Sequence, residues 1–237
     1  MFGDNHPHTD TTQRYPLRHP DNNNLRLHYD ETFEGLPLMV SKGPFIREYL
    51  SDLKHAIELA LAEYPRVLAF RVDLRLPQEI ELADYAYTNQ VISRFFESFT
   101  KKIRYHQDKV RQRDGYARGC KVRYVWSREV GQEGKQHYHV LILLNGNAYY
   151  TVGRLRSERV NMISRMEESW AGALGLSVEQ VRGLVHIPEN TEYRIDRSVR
   201  RGDVDELPEL FYRASYLCKV ATKSYGDRQR GFDTSRS

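Results

Sequence analysis

Two strand-like stretches joined by a short glycine-bounded turn constrain this chain more than any other feature. From Cys120 to Arg128, Val122, Tyr124 and Trp126 alternate with Lys121, Arg123 and Val125; "GQEG" then leads into "QHYHVLILLN" at 136–145. Strands so closely connected pair as an antiparallel hairpin. In the second stretch, side chains two apart share a face, which groups His137 and His139 with Leu141 and Leu143. Tyr138, Val140, Ile142 and Leu144 occupy the other face.

Around this hairpin the apolar periodicity supplies the remaining elements. Phe45, Ile46, Tyr49, Leu50, Leu53, Ala56, Ile57, Ala60, Leu61 and Tyr64 recur at helical steps, with Ser41 as a cap near the start and Pro65 as the stop. "RVLAFRVDLRLP" alternates as a half-buried strand with a polar face. A helix over about 87–107 carries Val91, Ile92, Phe95, Phe96, Phe99 and Ile103 on one side, and another spans 155–174 with Gly175 placed to end it. A short strand is expected in "GLVHIP" at 183–188, and a last helix from Glu206 to Ser224 with Pro208 in its first turn. The expected fold is α+β, a βαββαβ core of the ferredoxin or RRM-like kind with a helix added at each end.

The chain has 237 residues, enough for one compact domain with a real core. Residues 1–40, rich in Asn, Asp, His, Thr and Pro, lack periodicity and read as a flexible arm; 41–237 form the domain. Cys120 and Cys218 are too few for a disulfide framework, which favours a reducing compartment. Neither a membrane-length apolar run nor a signal-peptide pattern is present, so the expected location is the cytoplasm.

Net charge is +4, and its distribution says more than its size. Between Lys101 and Arg128 stand ten Lys and Arg against two Asp, and residues 211–237 add a second basic run with tyrosines interspersed. Such runs are often plain solvated surface, and alone they do not establish a nucleic-acid partner.

Two neighbouring imidazoles on a rigid strand suit a divalent cation if a third ligand is present. The bland alternative is a pair of strand histidines in ordinary hydrogen bonds. Glu129, at the end of the preceding strand, is brought back beside the histidines by antiparallel pairing; Glu133 in the turn is the other carboxylate within reach. Asp73 is a further candidate ligand, or a partner for a neighbouring arginine such as Arg71. Downstream, "LPELFYRASYLCKVATKSY" places Tyr212, Tyr216, Lys219 and Lys223 in one helical stripe. A lysine one turn from a tyrosine can hold a phosphate beside a phenol nucleophile. An exposed Tyr/Lys face serving solubility has the same spacing.

The "HYH" pair, the glutamate before it and the later "YLCK" resemble the HUH endonucleases, which include rolling-circle replication initiators. "YLCKVATKSYGDRQRGFDTSRS" is more narrowly similar to inovirus-type and prophage replication proteins, the YagK/YfjJ C-terminal family, over roughly residues 40–237. This resemblance implies an HUH endonuclease fold, with His137, His139 and Glu129 holding Mg²⁺ or Mn²⁺, Tyr216 as nucleophile and Lys219 beside it. "YRASY" resembles the two-tyrosine version and gives Tyr212 a part in strand transfer. The first strand matches the family's initial motif only loosely.

The implied function is metal-dependent nicking and joining of single-stranded DNA at a replication origin of a phage, prophage or satellite element, through a 5′-phosphotyrosine. The basic run at 101–128 would track the DNA backbone, with Lys121, Arg123, Arg128 and Lys223 as binding residues and Tyr105, Tyr116, Tyr124 and Trp126 available for stacking. No phosphate-loop signature of an NTPase occurs, so a host helicase and polymerase would be partners in a bacterial cytoplasm. The competing expectation is a non-catalytic RRM-like single-strand binder, although "HYHVLILL" lacks the pattern of an RRM strand.

Overall fold

A computed structural model of the chain describes residues 15–131, 134–153, 160–190, 192–198, 204–221 and 229–236. The N-terminal part holds five short strands, β1 (Arg18–His19), β2 (Asn22–His28), β3 (Thr32–Phe33), β4 (Leu36–Pro37) and β5 (Phe45–Ile46). Helix α1 (Arg47–Glu63), strand β6 (Arg66–Arg75) and helix α2 (Gln90–Asp114) follow, then the hairpin β7 (Arg123–Val130) and β8 (Gln136–Asn145). Helix α3 (Met162–Leu174), strands β9 (Val185–His186) and β10 (Glu192–Asp196), helix α4 (Leu207–Ala214) and strand β11 (Phe232–Thr234) complete it. The chain is therefore α+β, with antiparallel sheets and four helices among the described residues.

The main sheet runs β10–β6–β8–β7–β11, with every neighbouring pair antiparallel and β9 also pairing the end of β6. β8 is thus a central strand, and helices cover both faces of the sheet, which explains why its apolar residues populate both faces. Phe70, Val72, Leu74, Tyr138, Val140, Ile142 and Leu144 pack with Phe95 and Phe99 of α2 and Met166 and Trp170 of α3. On the opposite face Val67, Ala69, Val125, Leu141 and Leu143 pack with Leu50, Leu53 and Ile57 of α1 and Leu210 and Phe211 of α4. His137 and His139, in phase with Leu141 and Leu143, belong to this second face.

Several boundaries differ from the expectations for local reasons. Residues 15–40, expected as an arm without regular structure, carry β1–β4; β2 pairs β5, and Phe33 and Leu38 are buried in the α1/α4 core. Ser41 does not cap α1: it lies in a 3₁₀ turn (Val40–Lys42), and Ile46 precedes the helix without a side-chain cap. Tyr64, held extended before Pro65, ends α1 as the proline requires. α3 begins at Met162 under a reciprocal Asn161–Ser164 cap and ends at Gly175, whose φ of 72° is the left-handed geometry glycine favours.

The last helix is the largest departure. α4 stops at Ala214, tightens to a 3₁₀ turn over Ser215–Cys218, and Lys219 is extended. The Ser215 hydroxyl donates to the Tyr212 carbonyl and accepts from the Met39 amide. Lys219 then bridges Phe45 of β5, and the Val220 amide donates to the Pro44 carbonyl. Backbone groups that would continue the helix are spent on the N-terminal strand instead.

Candidate metal centre

Register builds the site. Glu129 of β7 stands directly opposite His137 of β8, and Asp73 of β6 stands directly opposite His139. All four lie on the sheet face that α1 and α4 cover, at the end where the apolar residues give way to polar ones. Glu129, His137 and His139 each offer a donor atom, and the three atoms lie within 4.8 Å of one another. Glu129 Oε2 is 3.8 Å from His137 Nε2 and 3.4 Å from His139 Nε2. The expected third ligand is thus where antiparallel pairing should bring it; Glu133 lies outside the described residues.

Asp73 plays a different part from the ligand anticipated as one option. Its Oδ1 is 2.6 Å from His139 Nδ1, so the carboxylate fixes the ring and directs Nε2 toward Glu129. His139 Nε2 is buried and makes no hydrogen bond among the described residues. A buried imidazole nitrogen aimed at a carboxylate and a second imidazole is what a divalent cation would complete. The donor set of two imidazoles and one carboxylate fits such an ion. His137, with 27% of its side chain exposed against 9% for His139 and 3% for Glu129, marks the open side. An open pocket lined by Arg75, Gln78, Lys135, Gln136, His137 and His139 lies there.

Burial and then the adjacent His139 pull the His137 pKa below its ordinary value, against Glu129 and Asp73, which push it up. The neutral, metal-competent imidazole is thereby favoured. Burial raises the Asp73 carboxyl, but the His139 hydrogen bond and the charges of His139 and Arg71 hold it below the usual carboxylate range.

The 3₁₀ turn after α4 lays Tyr216 over this cluster. Its ring meets His139 edge to face at 5.1 Å between centroids. Lys219 Nζ donates to the Tyr216 hydroxyl at 2.6 Å and lies 3.1 Å from Glu129 Oε2. One buried ammonium therefore connects the phenol to the Glu129–His137–His139 cluster. Tyr212, one turn earlier on α4, has no hydrogen bond, ion pair or ring contact from its side chain to the cluster among the described residues.

The residues expected to bind DNA are scattered. Arg123 is buried, its Nε and Nη2 both bonded to Glu63 Oε2. Arg128 is buried beside Gln136. Lys121 is exposed, and Lys223 lies outside the described residues. Trp126 is in the core, and Tyr124 stacks on Phe96. The basic residues of α2, with exposed Tyr105 and Tyr116 nearby, stand on the sheet face opposite the histidines. Sequence reasoning gave Arg71 no assured place in the site, yet its guanidinium lies 5.1 Å from the Tyr216 ring centre; alternation along β6 was the available signal.

No helix among the described residues is long and apolar enough to cross a membrane. No solved structure matches the chain. It is 31% identical over 211 residues to the uncharacterized Escherichia coli (strain K12) protein YagK, covering 87% of this chain and 98% of the relative. To the uncharacterized protein YfjJ of the same strain it is 30% identical over 202 residues, covering 82% and 96%. The family model for the YagK/YfjJ C-terminal domain matches residues 28–235, and the chain belongs to that family.

Proposed function

We propose that the protein is an HUH-type endonuclease that nicks and rejoins single-stranded DNA through Tyr216. The observation that carries this reading is the shared contact of Lys219, which joins the Tyr216 hydroxyl to Glu129 beside the two histidines. A tyrosine in a purely structural role has no need of a buried ammonium on its oxygen and a two-histidine, one-carboxylate cluster under its ring.

His137, His139 and Glu129 would hold the divalent ion, Mg²⁺ or Mn²⁺. When bound, such an ion supplies Lewis-acid polarisation of a phosphate oxygen. The imidazoles favour Mn²⁺ over Mg²⁺ in vitro. Asp73 keeps the Nδ1 proton on His139 and leaves Nε2 free to ligate. The Tyr216 oxygen attacks the phosphorus; the new O–P bond replaces the bond to the 3′ oxygen, which departs as a hydroxyl carrying the proton the phenol has lost. Lys219 neutralises charge developing at the phosphate. The phosphodiester's energy is retained in the 5′-phosphotyrosine, so the step reverses to rejoin ends. In a replicating phage, prophage or satellite element, a host polymerase would extend the freed 3′-hydroxyl behind a host helicase.

The test is incubation with Mn²⁺ and end-labelled single-stranded oligonucleotides drawn from around the gene, followed by a denaturing protein gel. A labelled protein band that needs metal and vanishes in Tyr216→Phe supports the proposal. Binding without any band, in every oligonucleotide, would leave a non-catalytic single-strand binder in its place.

A further inference from the structure

Beside Tyr216, on the strand that carries Asp73, stands a cation whose bonding is incomplete. Arg71 is only 8% exposed, and its Nε has no hydrogen-bond partner. Among the described residues its one side-chain bond, from Nη2 to Asp73 Oδ1, is long at 3.5 Å, and that same oxygen is already held by His139 at 2.6 Å. A guanidinium has five N–H donors, and burying them unmet is costly.

A second guanidinium adds to this imbalance. Arg213 of α4 donates from Nη2 to the Glu189 carbonyl at 3.1 Å and also bonds the Tyr193 side chain, while its buried Nε has no hydrogen-bond partner among the described residues. The two arginines feel each other: burial lowers the Arg71 pKa, Asp73 and Tyr216 oppose this, and the Arg213 charge lowers it further. Asp73 answers Arg71 only through a long bond to an oxygen that His139 already holds, so an added anion would satisfy the unmet N–H groups of both guanidiniums.

We propose that Arg71 and Arg213 form the seat of the phosphodiester presented to Tyr216, their N–H groups gripping its non-bridging oxygens. This rests on the nicking reading and names the anion-binding half of the same site. Planar guanidinium forks match the paired oxygens of a phosphate better than an ammonium does. The Arg71 guanidinium rests against the Tyr216 ring, 5.1 Å from its centre, so a phosphate it holds is delivered beside the phenol.

The experiment measures binding of a single-stranded oligonucleotide to the full chain in EDTA across a salt series, then adduct formation in Mn²⁺. The variants are Arg71→Ala, Arg71→Lys and Arg213→Ala, each checked for native circular dichroism. A lost phosphate contact should reduce the slope of log affinity against log salt by about 0.7. Affinity should fall by roughly tenfold or more, and the adduct rate by roughly a hundredfold. Arg71→Lys keeps the charge and should recover the salt slope but not the rate; added ethylguanidinium should partly restore the rate of Arg71→Ala.

Folded variants with an unchanged slope and rate overturn the proposal while leaving the nicking reading intact. A wild-type protein that forms no adduct, yet loses salt slope on Arg71→Ala, keeps the phosphate seat and sinks the nuclease. Absence of measurable single-strand binding by the wild type overturns both. If Arg71→Ala fails to fold, Arg71→Lys and the more exposed Arg213→Ala decide the matter by the same readings.

Discussion

Asp73 and His139 face each other across neighbouring strands and share a 2.6 Å contact at Nδ1. The contact fixes which imidazole nitrogen is left for a metal, so Asp73→Asn should weaken Mn²⁺ binding by roughly 10- to 100-fold while the ligand residues stay in place. Calorimetric titration of the metal-free protein measures this. An unchanged affinity would make Asp73 a charge partner of Arg71 and nothing more.

Lys219 competes with any cation for Glu129, since its ammonium lies 3.1 Å from the carboxylate with both side chains buried. Lys219→Met should therefore raise affinity for divalent metal, on the order of tenfold, while abolishing adduct formation. The two changes run in opposite directions, which separates this effect from general damage. A fall in both would show that the lysine mainly supports the local fold.

Acid should destabilise the metal-free protein in two stages. His137 has a folded pKa held below its ordinary value of 6.5, so as pH drops through that range the unfolded chain binds the proton first and stability falls. Asp73, whose folded carboxyl is also held low, contributes stability that is present above its ordinary 3.8 and is lost as pH falls through the folded value. Denaturant midpoints in EDTA should fall between about pH 7 and 5 in the wild type. His137→Asn should flatten that limb, whereas Asp73→Asn should remove the lower one and, by taking away a charge that pushes the His137 pKa up, steepen rather than flatten the upper one. Equal curves in all three proteins would contradict this assignment.

Cys120 tests the packing far from the site. Burial pushes its thiol from 9.0 up to about 12, with a hydrogen bond from the Asn145 amide as a smaller opposing effect. At pH 8 its thiolate fraction is then about a thousandfold below that of an ordinary thiol. Cys218 is fully buried. Iodoacetamide should label the native protein far more slowly than the urea-unfolded protein at both positions. Rapid native labelling of Cys120 would mean that the 115–121 loop opens readily.

Much of this arrangement was legible in the sequence wherever a local pattern decided it. The strand at 136–145 has its expected limits because alternation and a flanking turn define it, and cross-strand pairing alone brings Glu129 to His137. The end of the last helix was not legible, because it is set by Met39, Pro44 and Phe45, more than 170 residues earlier in the chain. β10 and β11 escaped notice since "EYRID" and "FDT" are short and interrupted by charge. The basic run was visible as composition, yet composition does not say which sheet face a helix covers. α2 took its charges to the side away from the histidines, while Arg123 was drawn into a part-buried pair with Glu63.

In the proposed nicking reaction Tyr216 and Tyr212 are the candidate nucleophiles, and trypsin separates them. Cleavage after Arg213 leaves Tyr212 on the preceding peptide and Tyr216 on the peptide from Ala214 to Lys219. Mass spectrometry of the nuclease-trimmed, Mn²⁺-dependent adduct should find the nucleotide on Ala214–Lys219. A nucleotide on the Tyr212 peptide, or a wild-type protein that carries none after exposure to DNA it binds, would contradict it.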